Sequence, residues 1–319
     1  MRALVAVGAC YLDAILTVHH YPDEDEKLRA SSISRRRGGN VMNSLEVLQQ
    51  LFECRSSTNN QPSVPLYAVA VLPARSSVAI EEIKASLGSS VGIQHCIHRE
   101  DCSEPASSYI IKSQSTGSRT IVNYNELLEM TTEEFIQTAD KLPDGPKWFH
   151  FEGRIPEVTL QCIQYLRRNY PDHKVSVELE KPGRAGLQEL ATEADVVFYS
   201  KSWAQGNGHQ SAEELLQEQC HLTPQASILC CTWGEKGAVG LDKQREIYIH
   251  SSASTDPQHP IVDTIGAGDT FIAGMLYAFL SHGDNFNLQR AMDFANRLAG
   301  RKVTQEGFGG LGTAVAHYL

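Results

Sequence analysis

Towards its C-terminus the chain reads Val262-Asp263-Thr264-Ile265-Gly266-Ala267-Gly268-Asp269-Thr270-Phe271 and continues as an almost wholly apolar stretch to Leu280. That stretch lacks period-2 alternation and is too long for an ordinary strand, so it is expected to be a buried helix. Gly266 and Gly268, either side of Ala267, then fall at a helix N-terminus, where unpaired amides and the helix dipole favour an anion. Asp269 lies in the first turn and sets a carboxylate beside the anion site. Phosphate binding alone has no use for that charge. Phosphoryl transfer to a hydroxyl does, because the acceptor must be oriented and relieved of its proton. A Gly-x-Gly-Asp turn by itself is equally an ordinary helix start; the longer string is much more specific.

Other segments carry residue types suited to binding. Gly38-Gly39-Asn40, followed by Asn43, opens the first long helix. Asn40 can cap it, and the paired glycines let backbone approach a ligand closely. Capping explains neither the glycines nor Asn43. Asp13 follows the first strand and alone is an ordinary turn residue. Glu152 ends a strand at the edge where open α/β sheets collect ligands, or is merely a solvent-facing strand end. Arg119 sits just past a hairpin tip, from which a flap arginine can neutralise a phosphoryl group, although most exposed hairpin arginines only solubilise. Gly234 and Gly237, in Thr232-Trp233-Gly234-Glu235-Lys236-Gly237, permit a tight turn near a nucleotide or a plain hairpin turn.

Short apolar runs alternate with helical patterns over most of the chain, the sign of β-α-β units around a parallel sheet. Strands are expected over residues 4–8, 66–71, 148–151, 174–179, 196–199 and 228–231. Helices are expected over 40–52, 77–87, 133–142, 157–169, 211–219, 270–280 and 288–302. Residues 12–37 and 107–124 break the alternation with strand-like pieces, the second turning at Ser115-Thr116-Gly117-Ser118. They are expected to form a small sheet over one end of a core made of residues 1–11, 38–106 and 125–319. In Arg35-Arg36-Arg37 alternation puts Arg36 on the opposite face from its neighbours, and a solvated edge is the expected role.

The 319 residues suffice for one large α/β domain with an appendage, and 41 % apolar content supports a core. A net charge of −10 argues against nucleic acid or an anionic membrane as a partner. Eight cysteines without Cys-x-x-Cys or paired His spacing read as free thiols in a reducing compartment, and a cytoplasmic location is expected. Arg2 precedes an apolar run that Asp13 interrupts, so a first buried strand is expected rather than a secretory signal. No Gly-x-Gly-x-x-Gly follows that strand, and no metal-ligand triplet has regular spacing.

Taken together, the 262–271 string and Gly38-Gly39-Asn40 with Asn43 resemble the two signatures of the ribokinase-like (PfkB) family of carbohydrate kinases. The resemblance covers essentially the whole chain. Residues 152–154, 177–182, 195–201 and 210–214 look most like the ketohexokinase (fructokinase) branch. It implies a three-layer α/β/α core with a mainly parallel sheet and a small β-sheet lid. It also implies an ATP-dependent sugar kinase, D-fructose going to fructose 1-phosphate, with ribokinase or nucleoside kinase activity as the alternative. A non-catalytic sugar-binding protein is the alternative of another class, and the intact Asp269 speaks against it. By the same resemblance Asp269 is the base, the amides of Gly266, Ala267 and Gly268 hold the γ-phosphoryl, and Arg119 reaches it from the lid. Asp13, Gly39, Asn40, Asn43 and Glu152 hold the sugar; Lys201, ending a strand, joins Thr232, Gly234 and Gly237 along the nucleotide. Mg2+ travels with ATP, Asp263 helps to form a monovalent-cation site for K+, and two lids pair in a homodimer. Two departures stand out: Ser200 and Trp203 occupy the ends of the family's magnesium-linked Asn-x-x-Glu, and Ser118 stands where Asn is expected.

Overall fold

The computed structural model describes residues 3–59, 63–254 and 259–318. Its centre is a nine-stranded sheet in the order Ile247–Ser251, Ala238–Asp242, Ile228–Thr232, Val196–Tyr199, Lys174–Leu179, Lys147–Glu152, Ala3–Val7, Leu66–Val69 and Val91–Gly92. All pairings are parallel except those made by the first two strands of that order. Strands that are buried on both faces read as continuous apolar runs, which is why Val196–Tyr199 and Ile228–Thr232 carry no alternation.

Two apolar clusters lie on opposite faces of this sheet, giving three layers. One cluster takes in the helices Asn40–Asn59, Ala267–His282 and Leu288–Lys302; the other takes in Thr132–Ala139, Pro156–Asn169, Leu187–Glu193 and Ala212–Leu222. Ala267–His282 is the buried helix expected from its composition, and it starts at Gly266 in a left-handed conformation (φ 78°). It packs between Asn40–Asn59 and Leu288–Lys302. A Cβ on Gly274 would meet the Ala295 backbone at 2.8 Å, so a glycine is what lets the two helices approach.

The interrupting segments form a four-stranded sheet, Ser32–Gly38, Tyr11–Val18, Ser107–Ser113 and Arg119–Tyr124, with the turn between the last two where the sequence placed it. Strand register sorts its side chains. Asp13, Arg36, Ser108, Asn123, Ile121 and Arg119 share the face turned to the core, whereas Ile33, Tyr109, Val122 and Tyr124 share the outer face. These four outer residues are exposed. The solvated edge expected for the arginine triple holds only for Arg35. Arg36 turns to the inner face, where Asp263 waits, whereas Arg37, on the opposite face at the strand end, is buried against Glu46.

Candidate active site

Chain order and sheet order part company at the strand Ala3–Val7. Its neighbours are Leu66–Val69 on one side and Lys147–Glu152 on the other, which opens a crevice at the carboxyl ends. A cleft of about 700 Å³ lies there, roofed by the inner face of the small sheet. Glu152 closes one wall: its Oε2 accepts the Ala9 amide at 2.8 Å, and a Cβ on Gly8 would lie 2.6 Å from that oxygen. Gly39 (φ 103°) is required on similar grounds, since a Cβ would collide with the Ala9 carbonyl at 2.1 Å.

Asp269 stands on the cleft floor, 7 % exposed, in the first turn of Ala267–His282. Its Oδ2 accepts the Asn43 side-chain amide at 2.7 Å, and its backbone carbonyl accepts the Ser44 hydroxyl at 3.0 Å. Asn43 is oriented in turn, because its Oδ1 accepts Arg37 Nη1 at 3.2 Å. Arg37 is anchored by Glu46 and by the Ser86 hydroxyl at 3.1 Å. Burial pushes the Asp269 carboxyl up to about 7; the charges of Glu180 and Glu152 add to the rise, while the Asn43 hydrogen bond and Arg37 oppose it. Burial raises Glu152 as well, and Glu178, also beside Asp269, well above the usual range. A carboxylate that changes charge near neutrality, beside Gly266 and Gly268 amides with no protein acceptor among the described residues, can take a proton from a hydroxyl while an anion is held.

The structure brings Asp13, Gly39, Asn40, Asn43, Arg119, Glu152, Lys201, Thr232, Gly266, Gly268 and Asp269 to this one cleft. Burial raises the Asp13 carboxyl, against the Ser108 hydrogen bond and the charges of Arg36 and Arg37. Several expected details need correcting. The Asn40 side chain does not cap its helix: it donates to Glu178 and Glu180, at 3.1 Å each, across the cleft. The Ala267 amide is spent on the Thr264 carbonyl at 3.3 Å, and Ala267 does not line the cleft. Lys201 starts the helix Lys201–Gly206 instead of ending a strand, because Ser200 caps the Trp203 amide. Gly234 and Gly237 lie outside the lining, and Gly237 (φ 88°) is accounted for by close packing on Ser251.

Sequence reading placed none of Arg36, Arg37, Glu178, Glu180 and Lys302 at the site. Arg36 Nη1 donates to Asp263 Oδ2 at 3.1 Å, its Nε lies 3.8 Å from Asp13, and its Nη2 is buried without a protein partner among the described residues. Inward-facing charge at the end of an edge strand was the available signal.

A family model described as pfkB family carbohydrate kinase matches residues 1–311. The chain belongs to that family. It is 32 % identical to mouse ketohexokinase over 318 residues, covering 97 % of this chain and 99 % of the relative. A fructokinase of Rhizobium leguminosarum bv. trifolii is 34 % identical over 163 residues, 46 % of this chain and 48 % of its own length. Among solved structures, Arabidopsis thaliana ribokinase complexed with ribose and ATP superposes with a TM-score of 0.72 at 19 % identity, covering 100 % and 99 % of the two chains.

For a PfkB kinase the ion question is informative. Among the described residues, no group of three or more His, Cys, Asp or Glu could hold a metal ion. Ser200, at the start of the departed Asn-x-x-Glu, instead caps its short helix and donates to the Glu180 carbonyl at 2.5 Å, and Trp203 is buried. Asp263 does not fit the expected monovalent-cation role. Its Oδ2 already takes Arg36 and Lys302, and its Oδ1 takes the Ile265 amide at 2.9 Å. Burial would raise this carboxyl, yet those hydrogen bonds and the charges of Lys302 and Arg36 hold it below its usual value.

The Asn43–Asp269 contact makes a directional prediction. Asn43→Leu removes a donor to the ionised Asp269 carboxylate, so that carboxyl titrates higher and, with Asp269 as the base, the acid limb of kcat/KM for the sugar is expected to move upward by about one pH unit. Activity then falls roughly tenfold below the limb and recovers in alkali. A pH profile lowered uniformly, with its limb in place, would assign Asn43 to sugar binding alone.

Proposed function

We propose that this PfkB kinase transfers the γ-phosphoryl of ATP to the primary 1-hydroxyl of D-fructose, giving fructose 1-phosphate and ADP. The observation that carries it is Asp269, a buried carboxylate ionising near neutrality at the N-terminus of a buried helix, inside a cleft of about 700 Å³. Whole-length similarity to a protein named ketohexokinase supports the choice of sugar. The hydroxyl donates to Asp269, which takes the proton as the new O–P bond forms and the bond to the ADP oxygen breaks with its electron pair. Gly266 and Gly268 amides face the charge on the phosphoryl in flight. Asp13, Asn40 and Glu152 receive the remaining sugar hydroxyls, and Lys201 with Thr232 borders the nucleotide. Mg2+, when bound with ATP, supplies positive charge that offsets the triphosphate. Cysteines without Cys-x-x-Cys or paired His spacing support a reducing, cytoplasmic setting.

ADP formation measured with fructose, ribose and adenosine tests this reading directly. Fructose should be preferred, with the phosphate on the 1-carbon by NMR; preference for ribose or adenosine overturns the sugar assignment. Asp269→Asn should lose roughly 10² or more in kcat while still binding ATP. Near-normal turnover would remove Asp269 from the chemistry.

The small sheet is proposed as the lid, since residues 12–37 and 107–124 bury too little to be a core of their own and carry Asp13, Arg36 and Arg119 over the cleft. Arg119→Ala should lower sugar-dependent kcat roughly tenfold or more with little change in sugar binding. Hydrogen exchange in both segments should slow when fructose and a non-hydrolysable ATP analogue are added together; unaltered exchange would mean the sheet does not close.

The outer face of that sheet supports a homodimer, because Ile33, Tyr109, Val122 and Tyr124 leave apolar area uncovered on it. Val122→Lys places a charge on this face beside Tyr109 and should convert the dimer to monomer in sedimentation velocity. A wild-type monomer, or a Val122→Lys dimer, rules out this interface.

A further inference from the structure

The monovalent-cation position anticipated at Asp263 is filled by the chain itself. Lys302, the last residue of Leu288–Lys302, is 0 % exposed. Its Nζ donates to the Asp263 carbonyl at 3.0 Å and to Asp263 Oδ2 at 2.9 Å. It also stands 5.4 Å from the centre of the Phe308 ring. That ring in turn abuts Gly266: a Cβ there would sit 2.4 Å from Phe308. The Val262 and Asp263 amides donate to the Val303 carbonyl, at 2.8 and 3.2 Å, beside the same helix end. An ammonium and a potassium ion are close in size, and both gather carbonyl and carboxylate oxygens. With Lys302 and Arg36 already on Asp263, a further cation would be repelled by two like charges.

We propose that Lys302 is a tethered cation that substitutes for a bound monovalent ion and fixes the 263–268 turn, so that turnover needs no added K+. The proposal rests on the kinase reading for its catalytic consequence. Through Asp263 on one side and Phe308 on the other, the ammonium sets where the Gly266 and Gly268 amides lie. Lys302 is thus a positioning residue. It sits below the turn and outside the cleft lining.

The test uses purified full-length protein in tetramethylammonium buffer, at constant ionic strength, with KCl or NH4Cl replacing tetramethylammonium chloride. Wild-type rates with ATP, Mg2+ and fructose should stay within about twofold across the series. Lys302→Met should lose roughly tenfold or more in kcat and regain much of it with K+, NH4+ or methylammonium, a rescue that general loss of packing would not show. Strong K+ activation of the wild type overturns the proposal, as does a Lys302→Met enzyme that is fully active without small cations. If Lys302→Met does not fold, Lys302→Ala with methylammonium takes its place, and the wild-type series decides by itself if neither folds. Thermal unfolding separates this inference from the kinase reading. K+ should raise the Tm of the variant and leave that of the wild type unchanged relative to tetramethylammonium. A wild type that phosphorylates no sugar but shows this Tm pattern refutes the function and upholds the tethered cation; an active sugar kinase lacking it does the reverse.

Discussion

A carboxylate kept out of water at the start of a buried helix is the constraint on which the cleft depends. The dipole and free amides at that end favour its charge, whereas burial and the nearby Glu152 and Glu180 oppose it. The result is a group poised near neutrality, where a general base can both hold its charge and accept a proton. How the surrounding donors are arranged matters as much as their number. Arg37 is buried, yet it reaches Asp269 only through the neutral amide of Asn43. A guanidinium placed directly on Asp269 would pull the carboxyl far below neutrality and leave a poor base. An interposed amide orients the carboxylate and passes on only part of that charge. Glu46 keeps Arg37 in place and offsets part of its charge.

Such a site works against folding, and the fold supplies the compensation. Because the folded-state pKa of Asp269 lies above its unfolded value, its contribution to stability is intact below the ordinary carboxylate range and is lost as pH rises through about 7. The ionised form is therefore the less stable one. It is tolerated because the rest of Ala267–His282 is buried between two long helices, where Gly274 permits close packing on Ala295. The apolar residues that made this helix visible in the sequence are the same ones that hold its polar end in position.

Legibility followed the range of the interactions involved. Lys174–Leu179, Val196–Tyr199 and Leu288–Lys302 end where the pattern of apolar residues placed them, since local periodicity fixes them. The first long helix, expected to stop at Phe52, runs on to Asn59 because no Gly or Pro interrupts the polar turns that follow. Lys201–Gly206 escaped notice as too short to show a period, although Ser200 is a good cap. The Gly-Gly and Gly-x-Gly-Asp turns were legible because glycine reports a backbone requirement directly in the sequence. The arginine triple was not. Alternation correctly put Arg36 opposite Arg35 and Arg37, but it says nothing of what covers each face. The partner of Arg36 is 227 residues away, and pairing over that span exists only in the folded chain.

Asp263 and Asp269 lie in one short segment and show how partners divide labour between identical side chains. Asp263 meets two cations and an amide, so its pKa is lowered; its stabilising contribution is present above the unfolded range and fails only as pH drops through the lowered folded value. It is a structural ion, and the turn is built on it. Asp269 meets a neutral amide and a crowd of carboxylates, so its pKa is raised and it is free to exchange a proton. Were the cations moved from one aspartate to the other, the turn would lose its anchor and Asp269 would no longer titrate near neutrality. The small sheet enters through the same logic: Arg36 lies on it and touches both Asp13 and Asp263, so the position of that sheet is tied electrostatically to the turn that carries the Gly266 and Gly268 amides. Any shift of the sheet that breaks Arg36 from Asp263 leaves Lys302 as the one cation on that carboxylate among the described residues.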